Sequence, residues 1–153
     1  RSARLRNVIG NELFSLILID PPYGDMLSRK KTGEAAKQKI GTDPTPFTNS
    51  EYDLGNMNRE TFFTKLVEMV SLSLELMKDK GHLVVFMKDL QPTAQDANLL
   101  HAETVNALNS IAGLRYLGLK IWADQGVNLY PYGYPFAFVA NQIHQYILVF
   151  RKE

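Results

Sequence analysis

The sequence predicts an α/β fold built on parallel strands, and two features carry this prediction. The run from Leu16 to Ile19 is continuously apolar and rich in β-branched residues, which is typical of a strand buried on both faces of a parallel sheet. Further along, a helical pattern is followed by a glycine and a second apolar run, and this order is that of a parallel crossover unit. The 153 residues, 45% of them hydrophobic, suffice for one domain with a core.

The first strand stops at the tetrapeptide Asp20-Pro21-Pro22-Tyr23. The prolines offer no N–H and each restricts the residue before it, so the strand must end in a stiff turn with free carbonyl groups. In an open α/β sheet the carboxyl ends of the strands border the ligand crevice. We therefore expect a carboxylate, a backbone acceptor and an aromatic ring at that crevice.

This trio suits an exocyclic amino group, which is a poor nucleophile because its lone pair is delocalised into the base. If the Asp20 carboxylate and the Pro21 carbonyl each accept one amino hydrogen, the lone pair turns towards an electrophile. Tyr23 would stack on a base flipped out of the duplex. The alternative is that the tetrapeptide is only a turn that ends a strand.

Residues 24–57 form a long polar stretch with no helical or strand period. Its first half is basic and its second half is rich in Thr, Pro, Asn and Asp. Structureless loops of this length are usually functional lids or disordered segments. The stretch is expected either to fold over the target strand and bring lysines to its phosphates, or to be a mobile solvated insertion.

A helix is predicted from Asn58, a good N-cap, until Gly81. Its apolar residues recur at helical spacing and are Phe63, Leu66, Val67, Val70, Leu74 and Met77. A second buried strand then begins at His82 and ends in Lys88 and Asp89. These two side chains either line the pocket or simply end the strand in water.

A second helix is predicted from about Ala97 to Ala112, with Val105, Leu108 and Ile111 on one face and Gly113 as its stop. A strand is then predicted from Leu114 to Trp122, followed by an outward turn at residues 124–126. The last strand runs from Tyr146 to Arg151.

The segment 128–139 is too aromatic for a plain connector. Five rings alternate with small residues and prolines, namely Tyr130, Tyr132, Tyr134, Phe136 and Phe138. Several of them are placed to present ring faces to a flipped base. The alternative is that they fill the end of the sheet or form a subunit contact.

Taken together, the segment from about Leu13 to Lys152 resembles motifs IV to VIII of the S-adenosylmethionine-dependent amino-methyltransferases, in particular the DNA N6-adenine methyltransferases. Asp20 to Tyr23 looks like motif IV, D-P-P-Y. Leu76 to Phe86 looks like the helix, glycine and strand around motifs V and VI, and Tyr132 to Arg151 like the motif VIII loop and last hairpin strand.

This resemblance implies a partial Rossmann-like methyltransferase sheet. Its strands would be parallel apart from a terminal antiparallel hairpin strand, residues 146–151, inserted between its neighbours, and helices would flank the sheet. The implied activity is transfer of a methyl group from S-adenosylmethionine to the N6 amino group of adenine in DNA. An N4-cytosine or RNA amino-methyltransferase is an alternative, although Asp at the first motif position favours adenine over N4-cytosine by resemblance.

The predicted site residues follow from the tetrapeptide and the resemblance. The catalytic set is Asp20, Pro21, Pro22 and Tyr23, and the substrate-binding set is Tyr134, Phe136, Phe138 and Lys88. For the cofactor, Asp20 and Pro21 are the only candidates. No metal is expected, since the three histidines show no ligand spacing and neither an HExxH motif nor a P-loop occurs.

The sequence departs from the family in one respect. The family cradles S-adenosylmethionine on a Gly-rich turn of the F-x-G-x-G type, whereas this chain has no G-x-G and only twelve residues before Leu13. Residues 1–153 are therefore expected to be the catalytic, target-base-binding half, with the cofactor-binding half on another segment or subunit. The expected partners are DNA with a flipped adenine and that missing half, and a homodimer is left open. The alternative is a non-catalytic nucleic-acid-binding module or heteromer subunit.

Composition excludes several other classes. The net charge of +1 does not by itself predict binding to nucleic acid. Binding to DNA would therefore depend on local basic patches. The absence of cysteine excludes a cysteine-nucleophile C5-cytosine methyltransferase. No apolar run approaches the roughly 20 residues of a membrane span, and a cytoplasmic protein is expected.

Overall fold

The computed structural model describes residues 10–22, 47–90, 92, 95–126, 131–132, 139–140 and 142–153, of which 131–132 and 139–140 by their backbone alone. The chain divides into two compact units. The first comprises Arg1–Asp20 and Val70–Glu153, and the second comprises Pro21–Met69.

Four strands of the first unit form one sheet, and the order of the strands confirms the expected architecture. The strands are β1 (Phe14–Ile19), β2 (Met77–Met87), β3 (Leu114–Ala123) and β6 (His144–Lys152). The α-helices among the described residues are α1 (Arg59–Leu74) and α2 (Leu100–Asn109). The sheet has the order β1-β2-β6-β3. β1 is parallel to β2, while β6 lies antiparallel between β2 and β3. A short hairpin, β4 (Pro131–Tyr132) with β5 (Val139–Ala140), is the other described pair of strands.

The core of the first unit is centred on the two middle strands. Directly opposed pairs across β2 and β6 are Leu83 with Phe150 and Val85 with Leu148, and all four side chains are fully buried. α2 contacts β3 and β6. Apolar residues at every second position therefore line one covered face of the sheet, as the strand period requires.

The prediction that the first strand is buried on both faces is wrong for this chain. β1 has a single neighbour, β2, among the described strands. Its apolar side chains are largely accessible, with Leu16 51% and Leu18 59% exposed. The composition of the run predicts a strand correctly but not its place at the edge of the described sheet.

The predicted first helix begins where expected and ends earlier. The Asn58 side chain accepts a hydrogen bond from the Thr61 N–H at 2.9 Å, which confirms the N-cap. The helix ends at Leu74, however, and β2 begins at Met77, opposite Phe14. The buried face is formed by Phe62, Leu66 and Val70.

β2 contains an irregularity before Gly81 that sets its register with β1. Phe14 pairs with Met77, but Leu16 pairs with His82, so β2 has extra residues here, and Lys80 takes a φ of 61°. A Cβ on Gly81 would lie 2.8 Å from the Lys78 carbonyl oxygen and 3.3 Å from that of Phe14. Glycine is needed because the two backbones approach closely at this point.

The second half of the chain follows the prediction more closely. α2 is shorter than expected. It buries Leu108 as predicted, together with Leu100 and Thr104, whereas Val105 and Ile111 of the predicted face are only half-buried. β3 confirms the predicted strand and is one residue longer, and the Gly126 N–H donates to the Asp124 side chain in the predicted turn. The last strand begins two residues earlier than predicted.

In the second unit, the end of the predicted polar loop is folded. Leu54–Asn56 form a 3₁₀ turn whose N-cap is Asp53. The Asp53 carboxylate accepts hydrogen bonds from the Gly55 N–H and the Thr48 hydroxyl, both at 2.9 Å, and these bonds lower its pKa. Residues 24–46 of the predicted loop lie outside the described residues.

None of the helices in the described part of the chain is both long and apolar enough to span a membrane.

Candidate active site at the carboxyl edge of the sheet

Asp20 lies at the carboxyl edge of the sheet. It directly follows β1, whose last residue, Ile19, pairs with Val85 of β2. The Asp20 residue is exposed, the next residue, Pro21, is buried, and Pro22 is half-buried. The acid of the tetrapeptide is therefore accessible at the edge where an α/β sheet binds its ligands. Tyr23 lies outside the described residues.

Asp89 follows the neighbouring parallel strand and has the opposite environment. It is 5% exposed. Its Oδ1 accepts a hydrogen bond from the His101 backbone N–H at 2.9 Å, and the His101 Nδ1 lies 2.8 Å and 2.7 Å from its two oxygens. Asp89 thus caps the N-terminus of α2, where a negative charge is favourable. The alternative that Asp89 ends the strand in water is wrong.

Tyr146 completes this cluster from β6. Its ring stacks on the His101 ring, with the centroids 4.0 Å apart and the planes at 15°. Burial raises the pKa of the Tyr146 hydroxyl, and the Asp89 charge and its hydrogen bond to the hydroxyl raise it further. Asp89 therefore has three donors around it, and its role is to hold α2 and β6 at the end of β2.

Sequence reasoning missed this cluster. In the sequence, His101 is only one of three histidines without metal-ligand spacing, and its partner Asp89 was not predicted. An acid immediately after a buried strand and a histidine in the first turn of a helix are the signals that could have suggested the pair.

Lys88 lines an open cleft at the same edge of the sheet. The cleft has a volume of about 130 Å³, and its lining residues are Lys88, Trp122, Asp124, Gln142, Ile143, His144 and Gln145. The His144 ring meets the Tyr146 ring edge-on at 5.1 Å, so the cleft adjoins the Asp89 cluster. Trp122 is 57% exposed. Binding of the substrate by Lys88 stays a prediction.

The predicted aromatic residues cannot be placed in this site. Tyr134, Phe136 and Phe138 lie outside the described residues, and only the backbone hairpin of β4 and β5 is described on either side of them.

The described residues at the end of β1 offer hydrogen-bond acceptors. The Asp20 carboxylate is exposed at the carboxyl edge of the sheet, and the proline that follows it has a carbonyl acceptor but no N–H to donate. The described ranges hold no Gly-rich turn after a strand that would cradle a nucleoside. They also contain no group of three or more His, Asp or Glu residues able to hold a metal ion.

Comparison with known proteins gives fold neighbours but no sequence relatives. Neither a protein-family model nor a curated protein sequence matches the chain. Among solved structures, the chain is similar to TTHA0409, a candidate DNA modification methylase from Thermus thermophilus, with a TM-score of 0.57 and 17% identity over 99% of this chain and 51% of that one. It is also similar to M1.HpyAVI in complex with S-adenosylmethionine, with a TM-score of 0.51 and 13% identity over 99% of this chain and 52% of that one.

These likenesses confirm the predicted fold. The chain has the mixed four-stranded sheet and flanking helices of a partial Rossmann-like methyltransferase fold. It spans about half the length of the solved structures that it matches. A further structure of TTHA0409, complexed with S-adenosyl-L-methionine, matches with a TM-score of 0.51 and 19% identity, over 96% of this chain and 50% of that one.

Proposed function

We propose that the chain is the catalytic, target-binding part of an S-adenosylmethionine-dependent DNA methyltransferase that acts on the N6 amino group of adenine. The observation that carries the proposal is the position of Asp20-Pro21-Pro22. The tetrapeptide that resembles motif IV begins directly after a parallel strand, at the carboxyl edge of a sheet. The fold of this sheet is shared with TTHA0409, a candidate DNA modification methylase, and with M1.HpyAVI, which was solved with S-adenosylmethionine.

In this proposal the chain holds and activates the amino group. The Asp20 carboxylate and the Pro21 carbonyl each accept one amino hydrogen, and the stiffness conferred by Pro22 keeps the two acceptors at a fixed separation. Tyr23 stacks on the flipped adenine. The nitrogen, with its lone pair directed away from both acceptors, is then oriented for attack on the methyl carbon. The C–N bond forms as the methyl–sulfur bond breaks, and the extra proton on the nitrogen passes to the Asp20 carboxylate and from there to water.

S-adenosylmethionine, when bound, supplies an electrophilic methyl group. Asp20 and Pro21 are the residues of this chain placed to lie near it. The binding of its nucleoside is assigned to a segment or subunit beyond those described, because the sequence has no G-x-G turn.

The test is methyl transfer to duplex DNA, measured on the 153-residue chain and on any longer polypeptide that contains it. Digestion of the product to nucleosides distinguishes N6-methyladenine from N4-methylcytosine by mass. Asp20→Ala is expected to reduce transfer by at least about 100-fold, since it removes one of the two acceptors. The matched control is Asp79→Ala, an exposed acid near the other end of β2.

Full activity of Asp20→Ala would refute the catalytic role. A product methylated only on cytosine would refute the choice of adenine and leave the amino-methyltransferase chemistry in place.

A second candidate is a non-catalytic nucleic-acid-binding module or heteromer subunit. It is favoured by the absence of a G-x-G turn from the sequence. Calorimetric titration with S-adenosylmethionine separates the two functions. Failure to bind, both by this chain and by a longer polypeptide that contains it, would favour the module.

A further inference from the structure

The open cleft beside Lys88 has a composition that the proposed methyl transfer does not use. It combines a lysine ammonium group, an exposed indole, two glutamine amides and one carboxylate, from Lys88, Trp122, Gln142, Gln145 and Asp124. A cation beside an accessible aromatic face is the combination with which proteins bind unpaired nucleotides, because the base stacks on the ring and the phosphate pairs with the cation.

The strand register places the key groups in one row. Trp122 of β3 lies opposite Gln145 of β6. Met87 of β2 lies opposite Tyr146, and the same antiparallel register brings the next residue, Lys88, opposite Gln145. The indole, an amide and the ammonium group therefore follow one another across three neighbouring strands.

The end of the row is fixed by the backbone. The Asp124 N–H donates to the Ile143 carbonyl oxygen at 2.7 Å, which closes the ladder of β3 and β6 just beyond Trp122. The Asp124 carboxylate accepts a hydrogen bond from the Gly126 N–H at 2.9 Å. This negative charge repels a phosphate at the Trp122 end, so the phosphate must lie towards Lys88.

The Trp122 end of the cleft is too far from Asp20 to be the site of the transfer itself. Neighbouring strands lie about 4.8 Å apart, so the end of β6 is about 10 Å and the end of β3 about 14 Å across the sheet from β1. Taking about 3.4 Å per stacked step, that separation is about three to four nucleotide steps along a strand, and fewer when the strand is extended.

We propose that this cleft binds a second nucleotide of the DNA, one that is unpaired and lies a few nucleotides from the target in the same strand, with its base stacked on Trp122 and its phosphate at the Lys88 ammonium group. The proposal rests on the proposed action on DNA. The acceptors of Gln142, Gln145 and Asp124 are then available to amino groups on the edge of the stacked base.

The experiment exploits the single tryptophan of the chain. Because Trp122 is the only one, its fluorescence reports on this cleft alone when it is excited at the long-wavelength edge, where the seven tyrosines do not absorb. We expect titration with a single-stranded oligothymidylate of about twelve nucleotides, within the usual site size for such binding, to quench the fluorescence. A fully paired duplex of mixed sequence should quench it less.

The variants separate stacking from charge, and binding is followed by anisotropy of labelled oligonucleotide. Trp122→Ala should weaken binding by roughly five- to a hundred-fold, the usual worth of one stacked base, whereas Trp122→Phe should recover much of the loss. Lys88→Ala should lower the slope of log affinity against log salt by about 0.7 to 0.9. Lys78→Ala, which changes an exposed lysine near the amino end of β2, is the matched control and should leave binding unchanged.

The readout distinguishes this proposal from the proposed function. Quenching should persist in Asp20→Ala, which lacks methyl transfer, because Asp20 is not part of the cleft. Methyl transfer without quenching, or equal binding by Trp122→Ala and the unaltered chain, would overturn the second nucleotide site alone. Quenching without transfer in any form of the protein would support the site and overturn the catalytic proposal.

Discussion

β1 and β2 are adjacent parallel strands that end in the same way and have opposite environments. Each is an apolar run followed within two residues by an aspartate. β2 has a strand on either side and fully buried side chains at Leu83, Val85 and Met87, whereas β1 is paired on one side among the described strands and is largely exposed. The same residue pattern thus gives a core strand in one case and an edge strand in the other.

The aspartates that follow these strands, Asp20 and Asp89, differ in burial in the same way as the strands do. The difference distinguishes a carboxylate that stabilises the fold from one that is able to act on a substrate. Asp89 is buried, and three donors surround it, whereas Asp20 is exposed at the carboxyl edge of the sheet. A buried and fully bonded carboxylate stabilises the fold. A carboxylate exposed at the edge of the sheet is the one that a substrate can reach.

The largest effect expected from this comparison is on the strands themselves. Leu83→Ala in β2 should lower the free energy of unfolding by about 4 kcal/mol, since it leaves a cavity in a fully buried position. Leu18→Ala in β1 should cost less than about 1 kcal/mol, because more than half of that side chain is already in water. Urea denaturation of both variants of this chain measures the difference, and equal losses would show that the edge position of β1 is incorrect.

Replacement of Asp89 and of Asp20 should change the free energy of unfolding by amounts that differ somewhat less than those of the two leucine variants. Asp89→Ala leaves the His101 N–H groups and the Tyr146 hydroxyl without their acceptor and should cost about 3 kcal/mol of unfolding free energy. Asp20→Ala should cost less than this, because the residue is exposed. If Asp20→Ala proved the more destabilising variant in thermal or urea unfolding, Asp20 would be a structural residue and the catalytic proposal would lose its basis.

The smallest expected effect concerns the Tyr146 hydroxyl. Tyr146→Phe removes one hydrogen bond to Asp89 and should cost about 1 kcal/mol near neutral pH. The folded state raises the Tyr146 pKa above its ordinary value of 10.0, so this stability is present below pH 10 and is lost as pH rises through the folded-state pKa. Unfolding of Tyr146→Phe, measured from about pH 8 to about pH 12, should therefore show a weaker alkaline loss than the unaltered chain.

Tyr116 provides the control, because burial alone raises its pKa. Tyr116→Phe should reduce the alkaline loss of stability without affecting the α2 cap. If the two phenylalanine variants were indistinguishable at neutral pH as well, the hydrogen bond between Tyr146 and Asp89 would contribute nothing.

Local patterns were sufficient to predict most of the elements. The Asn58 cap, the strand from Leu114 and the final strand are each encoded within a few neighbouring residues, and each is observed. The antiparallel position of β6 came instead from the family resemblance, since nothing in a single apolar run specifies which strands will pair with it.

The errors arise where distant residues decide the structure. The spacing from Leu74 to Met77 fits a helix, but the Phe14 N–H donates to the Leu76 carbonyl oxygen at 2.8 Å and Met77 pairs with β1. In the same way, α2 receives its N-terminal acceptor from Asp89, twelve residues before His101. The spacing of apolar residues and the secondary-structure propensity describe only the segment in which a residue lies. They do not reveal partners that are distant in the sequence.

For the site, the sequence predicted that Asp20 ends a strand at the carboxyl edge of the sheet, and the structure places it there. The cluster of Asp89, His101 and Tyr146 was not predicted, because its members come from three separate elements. The roles of Tyr23, Tyr134, Phe136 and Phe138 stay predictions.

The close backbone approach at Gly81 lies where the register of β1 on β2 is set. Side chains alternate between the two faces of a sheet, so a slip of β1 by a single residue would turn Asp20 to the opposite face. The three oxygen atoms within 3.3 Å of a Cβ at position 81 come from Lys78, Phe14 and Ser15, near the amino end of β1. A methyl group added at position 81 would push the amino end of β1 away from β2. The resulting change of register would alter the orientation of Asp20 at the carboxyl end of the same strand.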